Sequence, residues 1–270
     1  MSAPQELTAA STPPNLPALE LFSLRGKNAL ITGGSRGIGR AMAVALSEAG
    51  ASLCIAQRDL SNTETEDAIH ACGGSVQTLQ CDLSDMEQAK GIFQEALAAM
   101  GGRIDIVINC GGILKRKEST EVSESEWDSV VDVNLKALFF VCQAAGKHMI
   151  PRREGKIINI ASLNSFIGGE IVASYAASKG AVSQLTKALS NEWARYNIQV
   201  NAIAPGSIAT DINTDLRSDP KQYAARIARC PAGRWGEPKD FAGPAVFLCS
   251  AASQYVTGEV LVVDGGHMGR

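Results

Sequence analysis

Seven short runs of Val, Ile, Leu and Ala punctuate this chain, and the stretches between them read as helices. The runs predict strands at 28–32, 53–56, 76–81, 104–110, 156–162, 199–204 and 260–263. Most are apolar at successive positions rather than alternating, as strands covered on both faces are. Helical periodicity marks 37–49, 61–71, 84–100, 123–150, 173–196 and a stretch within 237–251. Two signals sharpen the starts. Ser84 is a candidate N-cap, and Ser123-Glu-Ser-Glu126 has capping-box spacing.

A strand followed by a helix and another strand returns the chain in the same direction, which makes the sheet parallel. The expected fold class is α/β: a single doubly wound, Rossmann-type domain with a seven-stranded parallel sheet and helices on both faces. Residues 1–20, rich in Ala, Pro, Ser and Thr, read as a flexible N-terminal tail, and 21–270 as one dinucleotide-binding catalytic domain. The polar, irregular stretch at about 211–237 is the expected substrate lid.

Composition narrows the function classes. Apolar residues make up 45% of the chain, enough for a sizeable core. A net charge of −3 gives no bulk attraction to nucleic acid or an anionic membrane. The absence of an 18-residue apolar run predicts no membrane span, and 1–20 lacks secretory features, so a cytoplasmic protein is expected. Cys54, Cys72, Cys81, Cys110, Cys142, Cys230 and Cys249 form no CxxC pair, so no metal is expected. His70, His148 and His267 form no identifiable triad with a Ser or Cys.

The turn Thr32-Gly33-Gly34-Ser35-Arg36-Gly37-Ile38-Gly39 joins the first strand to the first helix. Glycines there let a phosphate approach the helix N-terminus, where free N–H groups favour an anion. The spacing is not GxGxxG, so the turn alone is weak evidence. Three other strand ends add to it: Asp82 and Leu83 after the third, Asn109 to Gly112 after the fourth, and Pro205-Gly206-Ser-Ile208-Ala-Thr210 after the sixth. The Asp82 carboxylate can accept an adenine amino group, and the small residues Gly111 and Gly112 let a cofactor lie close. All fall on the carboxyl edge of the sheet. An NAD site places an acid at the end of the second strand; here Gln57 stands there, followed by Arg58, and Arg36 lies in the glycine turn. Two arginines favour the 2′-phosphate of NADP(H); NAD(H) is the alternative, should Asp59 supply the acid.

Tyr175 and Lys179 are four residues apart and share one helix face. A nearby cation is expected to lower the phenol's pKa, so that Tyr175 can give a proton to a carbonyl oxygen or take one from an alcohol. Ser162, at a strand end, can hold the same oxygen.

Taken together, these motifs resemble the short-chain dehydrogenase/reductase family from about residue 24 to residue 266. The resemblance includes the modified Asn109–Gly112 element, with Cys110-Gly111 where the family has Asn-Ala, and Asn134 in Val133-Asn134-Leu135. It implies a catalytic tetrad of Asn134, Ser162, Tyr175 and Lys179, with Asn134 holding a water that relays protons to Lys179. It also implies that Lys179 meets the nicotinamide ribose, the Ile208 backbone the carboxamide, and Thr210 the phosphates. Further segments, among them 22–27, 112–117 and 231–236, resemble gluconate-type dehydrogenases. That group includes 2-dehydro-3-deoxy-D-gluconate 5-dehydrogenase and 2-deoxy-D-gluconate 3-dehydrogenase.

The reading is an NADP(H)-dependent oxidoreductase interconverting a secondary alcohol and a ketone, with a sugar acid or polyol as first substrate. Substrate contacts are expected from Ser162, Asn164 and Tyr175, with Glu170 a further hydroxyl-binding candidate. Lys115, Arg116 and Arg234 are candidate cations for a carboxylate. The same machinery would serve a 3-oxoacyl carrier-protein or secondary-metabolite ketoreductase, with Arg226 and Arg229 facing an acidic carrier. A non-catalytic dinucleotide sensor shares the fold but gives no reason for the tetrad. The family resemblance implies a homotetramer.

Overall fold

Each apolar run becomes a strand of one sheet. The computed structural model describes residue 12 and residues 14–269. Its strands are β1 (Asn28–Thr32), β2 (Ser52–Gln57), β3 (Val76–Gln80), β4 (Ile106–Asn109), β5 (Gly155–Ile160), β6 (Ile198–Pro205) and β7 (Val260–Val263). All neighbours are parallel, in the order β3-β2-β1-β4-β5-β6-β7. The helices are α1 (Gly37–Glu48), α2 (Glu64–Ala71), α3 (Met86–Ala99), α4 (Glu124–Val131), α5 (Leu138–Arg152), α6 (Ala173–Trp193), α7 (Thr214–Ser218), α8 (Pro220–Ala228) and α9 (Ala242–Cys249).

The pleat sorts the core into two layers. Leu30, Cys54 and Val107 face α3, α5 and α6, where they meet Phe93, Cys142 and Val182. Ala29, Ile31 and Ile55 face the other way, toward Met42 and Leu46 of α1 and Leu248 of α9. Successive strand residues point to opposite faces, so a run apolar throughout serves both layers.

Several boundaries differ from the sequence reading. Asp85, not Ser84, caps α3: its Oδ1 accepts from the Glu87 and Gln88 N–H groups, while Ser84 gives its N–H and hydroxyl to Asp82. Of the expected tail, residues 1–11 and 13 lie outside the described residues; a 3-10 turn, Glu20–Phe22, closes the rest, and the Phe22 ring meets Phe247 at 6.3 Å. The capping box of Ser123 and Glu126 forms as expected. The helix it opens is broken by one π-helical segment, Asp132–Ala137. Contrary to the expectation of no apolar stretch of that length, the run Glu124–Arg152 is long and apolar enough to cross a membrane by length and composition. Of its apolar window, 50% is buried inside the protein, as in a core helix.

The amino edge of the sheet is pinned by Asp105, which is 2% exposed. Its carboxylate accepts from the Asn28 N–H (3.0 Å), Arg103 Nε (2.8 Å) and Arg152 (2.6 Å), tying the start of β1 to the end of α5. Burial pushes this carboxyl up, and the bonds from Arg103, Asn28 and Arg152 together hold it below its ordinary range. Its folded-state value is depressed, so its stabilisation is present above the unfolded carboxylate range and is lost as pH falls through the folded value. Asp105→Asn is expected to cost roughly 3 kcal/mol at pH 7 and to flatten the acid limb of the stability curve, checked by urea unfolding across pH.

Candidate active site

The strand order reverses between β1 and β4. From β1 the chain turns to α1 on one face; from β4 it passes to the layer of α5 on the other. A crevice opens between the diverging segments at the carboxyl edge. There a cavity of about 570 Å³ runs along the ends of β3, β2, β1, β4, β5 and β6. Its lining includes Gly33, Ser35, Arg36, Ile38 and Gly39, then Arg58, Asp82, Leu83 and Gly111, and finally Ser162, Tyr175, Lys179, Pro205, Gly206, Ile208 and Thr210.

The glycine turn is built so that only glycine fits. Gly33 has φ +68°, and a Cβ there would lie 2.7 Å from the Gly111 backbone. A Cβ on Gly39 would lie 2.1 Å from the Gly33 carbonyl oxygen. The Thr65 hydroxyl anchors the turn by donating to the Gly34 carbonyl at 3.0 Å. The backbone at the helix N-terminus is thereby kept open at Gly33, Gly37 and Gly39, where an anion would approach.

The residues after β2 separate the two cofactor alternatives. Gln57 is buried, and its amide donates to the Asp59 and Asn62 carbonyls, so it shapes the loop. Asp59 accepts from the Ser61 N–H and hydroxyl and does not line the cavity. Arg58 and Arg36 do line it. Arg36 reaches Asp211 at 3.1 Å, an exposed pair joining the glycine turn to the root of the lid.

Three expected contacts lie elsewhere. Asn109, expected beside the cofactor, is 3% exposed and turned into the core, where its Nδ2 donates to Asn159 Oδ1 (3.0 Å) and Cys142 Sγ (3.2 Å). The pleat of β4 aims it at α5 rather than at the crevice. Asn164, expected to touch substrate, gives its backbone N–H to Ser162 Oγ at 3.1 Å, and its side chain lies beside Gly169, outside the lining. Arg234 is committed to a two-pronged bond with Asp240 (2.7 and 2.9 Å). Sequence reasoning missed Ile113 and Leu114, which line the cavity, while Asp211, Ile212 and Asn213 of the expected lid segment line it too. Their place after β4 and after β6 was the available signal.

Asn134 is fully buried inside the π-helical segment. Its Oδ1 accepts from the Ile113 N–H (2.8 Å), and its Nδ2 donates to the Ile113 carbonyl (2.9 Å) and the Ser178 hydroxyl (3.2 Å). It thus pairs with a backbone as a strand neighbour would, and fixes the loop after β4. A Cβ on Gly112 would lie 3.2 Å from Asn134 Oδ1 and 3.7 Å from Lys179 Nζ, so these groups converge there.

Lys179 is 4% exposed, and its ammonium donates to the Ile160 carbonyl at 2.6 Å. It stands 5.7 Å from the Tyr175 ring centre. Burial pushes the ammonium down to about 8, against the Cys110 thiol, which raises it. Tyr175 departs from expectation: its phenol lies above its ordinary value. Burial is the main cause; a hydrogen bond with Ser162 pulls it down, Cys110 pushes it up, and Arg116 pulls it down. Desolvation disfavours both the phenolate and the ammonium, and at each group it is the largest cause of the shift.

Comparison with known proteins agrees with this geometry. A family model described as Enoyl-(Acyl carrier protein) reductase matches residues 33–268. The 2-dehydro-3-deoxy-D-gluconate 5-dehydrogenase of Pseudoalteromonas atlantica is 48% identical over 254 residues, covering 93% of this chain and 100% of that protein. An Agrobacterium tumefaciens protein assigned as a 2-deoxy-D-gluconate 3-dehydrogenase, solved with bound NADP, is 49% identical. It superposes with a TM-score of 0.87 and coverage of 93% and 99% of the two chains. A gluconate 5-dehydrogenase from Burkholderia cenocepacia, solved with NADP and tartrate, is 40% identical, with a TM-score of 0.89 and coverage of 94% and 100%.

Gly39→Ala sets a methyl group against the Gly33 carbonyl. It is expected to weaken dinucleotide binding and to cost about 1–3 kcal/mol of stability. Fluorescence titration with NADPH and urea unfolding check the two effects.

Proposed function

Because the chain belongs to the short-chain dehydrogenase/reductase family, we propose that it is an NADP(H)-dependent enzyme interconverting a secondary alcohol and a ketone on a sugar acid. The observation that carries this reading is one cavity along six strand ends. It has the glycine turn and two arginines at the β1–β2 side, and Ser162, Tyr175 and Lys179 toward β5. The relatives named for gluconate-type substrates, and those solved with NADP, support it.

The residues present fit the cofactor. Gly33, Ser35, Ile38 and Gly39 would hold the pyrophosphate, Arg36 and Arg58 the 2′-phosphate, and Asp82 and Leu83 the adenine. Gly111, Pro205, Gly206, Ile208 and Thr210 would flank the nicotinamide half, with Tyr175 and Lys179 at its ribose. When bound, the nicotinamide supplies the hydride in reduction and accepts it in oxidation.

The chain's own part is the proton. Ser162 holds the substrate oxygen. Tyr175 gives that oxygen its proton in reduction and takes it back in oxidation. A phenol raised by burial suits the donor role. Lys179, beside the ring, favours the phenolate when the proton must leave. Asn134 is a positioning residue: it holds the loop at Gly112 and Ile113 against the pair.

From the family resemblance we infer a homotetramer. The Phe139–Phe140 pair on α5 and the 40% exposed Trp127 on α4 are apolar surface of the kind an interface covers.

Turnover of sugar acids, polyols and 3-oxoacyl thioesters with NADPH and NADH, in wild type and Tyr175→Phe, tests the reading. Sugar acids with NADPH are expected to lead. Tyr175→Phe is expected to lower kcat about 100- to 10,000-fold while leaving NADPH affinity near wild type. Full activity of that variant would overturn the proton assignment.

Oxidation requires the Tyr175–Lys179 pair to have lost one proton. The oxidation rate is therefore expected to climb as pH rises through about 8, where Lys179 lies, and the reduction rate to fall over the same range. Lys179→Met leaves the raised phenol unassisted and should move the oxidation limb to higher pH, read from pH–rate profiles.

A further inference from the structure

Among the described residues two carboxylates line the cavity, Asp82 and Asp211. We propose that Asp211 is a specificity-determining residue for the cofactor. Paired with Arg36, it weakens the cavity's preference for a 2′-phosphate and keeps NAD(H) usable, an inference that rests on the NADP(H) reading.

The two carboxylates have different partners. Asp82 Oδ1 accepts from the Ser84 N–H (2.9 Å) and hydroxyl (2.7 Å), which holds it at the end of β3. Asp211 Oδ2 accepts from Arg36 Nη1 at 3.1 Å. Arg36 is the residue before the first turn of α1, and its own side chain caps nothing there. Arg36 and Asp211 both line the cavity, as does Arg58. Among the described residues Arg36 has no ion pair but this one, and Arg58 has none. One arginine on the phosphate side is therefore balanced by a carboxylate and the other is not.

A 2′-phosphate held by Arg36 has to share that guanidinium with Asp211. Groups bound to one guanidinium lie within a few ångström of each other, so the phosphate and the carboxylate repel. Arg36 has further N–H groups to offer, so the phosphate can still bind, but against a charge already half spent. A ribose 2′-hydroxyl brings no charge and meets no repulsion; a carboxylate is the group that favours it at such sites. Gln57 leaves the end of β2 without that acid, and Asp211 brings one to the same arginine side from the lid root. The pair is exposed, so solvent screens the effect and keeps it to a few-fold.

The lid root stays in place without Arg36. Asn213 Nδ2 donates to the Ile208 carbonyl at 3.0 Å. Arg116 donates to the Ile212 carbonyl and to Asn213 Oδ1, both at 3.1 Å. A Cβ on Gly37 would lie 3.3 Å from Thr210 Cγ2, so the root also packs on the glycine turn. Drawing Arg36 toward a phosphate leaves the segment that carries Asp211 anchored beside it.

The test measures NADPH and NADH affinities by fluorescence titration for wild type, Asp211→Asn, Asp211→Glu and Arg58→Ala, at low and at high ionic strength. Asp211→Asn is expected to raise the preference for NADPH over NADH about 3- to 10-fold at low ionic strength, with a smaller gain at high ionic strength. Asp211→Glu keeps the charge and should stay near the wild-type ratio. An unchanged or reduced preference in Asp211→Asn would overturn the proposal. So would an equal gain in Asp211→Glu, which would assign the effect to the shape of the lid root rather than to charge. If wild type binds NADPH no more tightly than NADH and Arg58→Ala alters neither, the NADP(H) reading fails. Asp211→Asn then decides the inference by itself: a preference for NADPH that emerges in this variant upholds it, and equal affinities overturn it.

Discussion

The site depends on one constraint of a parallel sheet. Every strand must hand the chain to a crossover on one face or the other, and between β1 and β4 the hand-over changes face. The crevice this leaves cannot be filled by a helix, because the adjacent connections turn away from it. Gly33 and Gly111 meet backbone to backbone at its floor. Asn134 braces its wall by pairing with Ile113. The cavity is a consequence of topology, and its chemistry comes from whichever residues follow the strand ends.

Dryness governs that chemistry. Lys179 is almost fully buried and is pulled down to about 8, and Tyr175 is pushed up. Each shift makes the ionised form less favourable, so the folded site favours a neutral phenol and a more readily deprotonated ammonium than water would. The charges that remain near the site are then the ones with partners in prospect. Arg58 and Arg36 line the cavity on the side proposed for the cofactor phosphate. The lid is anchored by neutral or paired contacts, such as the Tyr223–Trp235 stack and the Arg234–Asp240 pair.

Much of this was legible along the chain. All seven strands are near their expected places, because a buried parallel strand is apolar on both faces and stands out from its flanks. The glycine turn, Ser162, Tyr175 and Lys179 were legible because each sits at a fixed offset from a strand end or within one helical turn. Asn109 and Asn164 show where such reasoning stops. Both are at the correct edge of the sheet, yet Asn109 turns toward Cys142 and Asn164 lies beside Gly169. A strand end tells which residues are near the crevice, and the pleat decides which of them look into it.

The sequence by itself determined the class of fold, the seat of the dinucleotide and the proton pair, since these rest on local periodicity and on short spacings. Only the tertiary structure decided what depends on residues far apart in the chain. It turned Gln57 into a loop brace and left Arg58 facing the cavity. It set burial against charge at Tyr175 and reversed the expected shift. It brought Arg116 of the loop after β4 onto Ile212 and Asn213 at the root of the lid. Desolvation and charge pairing act through space, and their balance exists only once the distant segments are packed together.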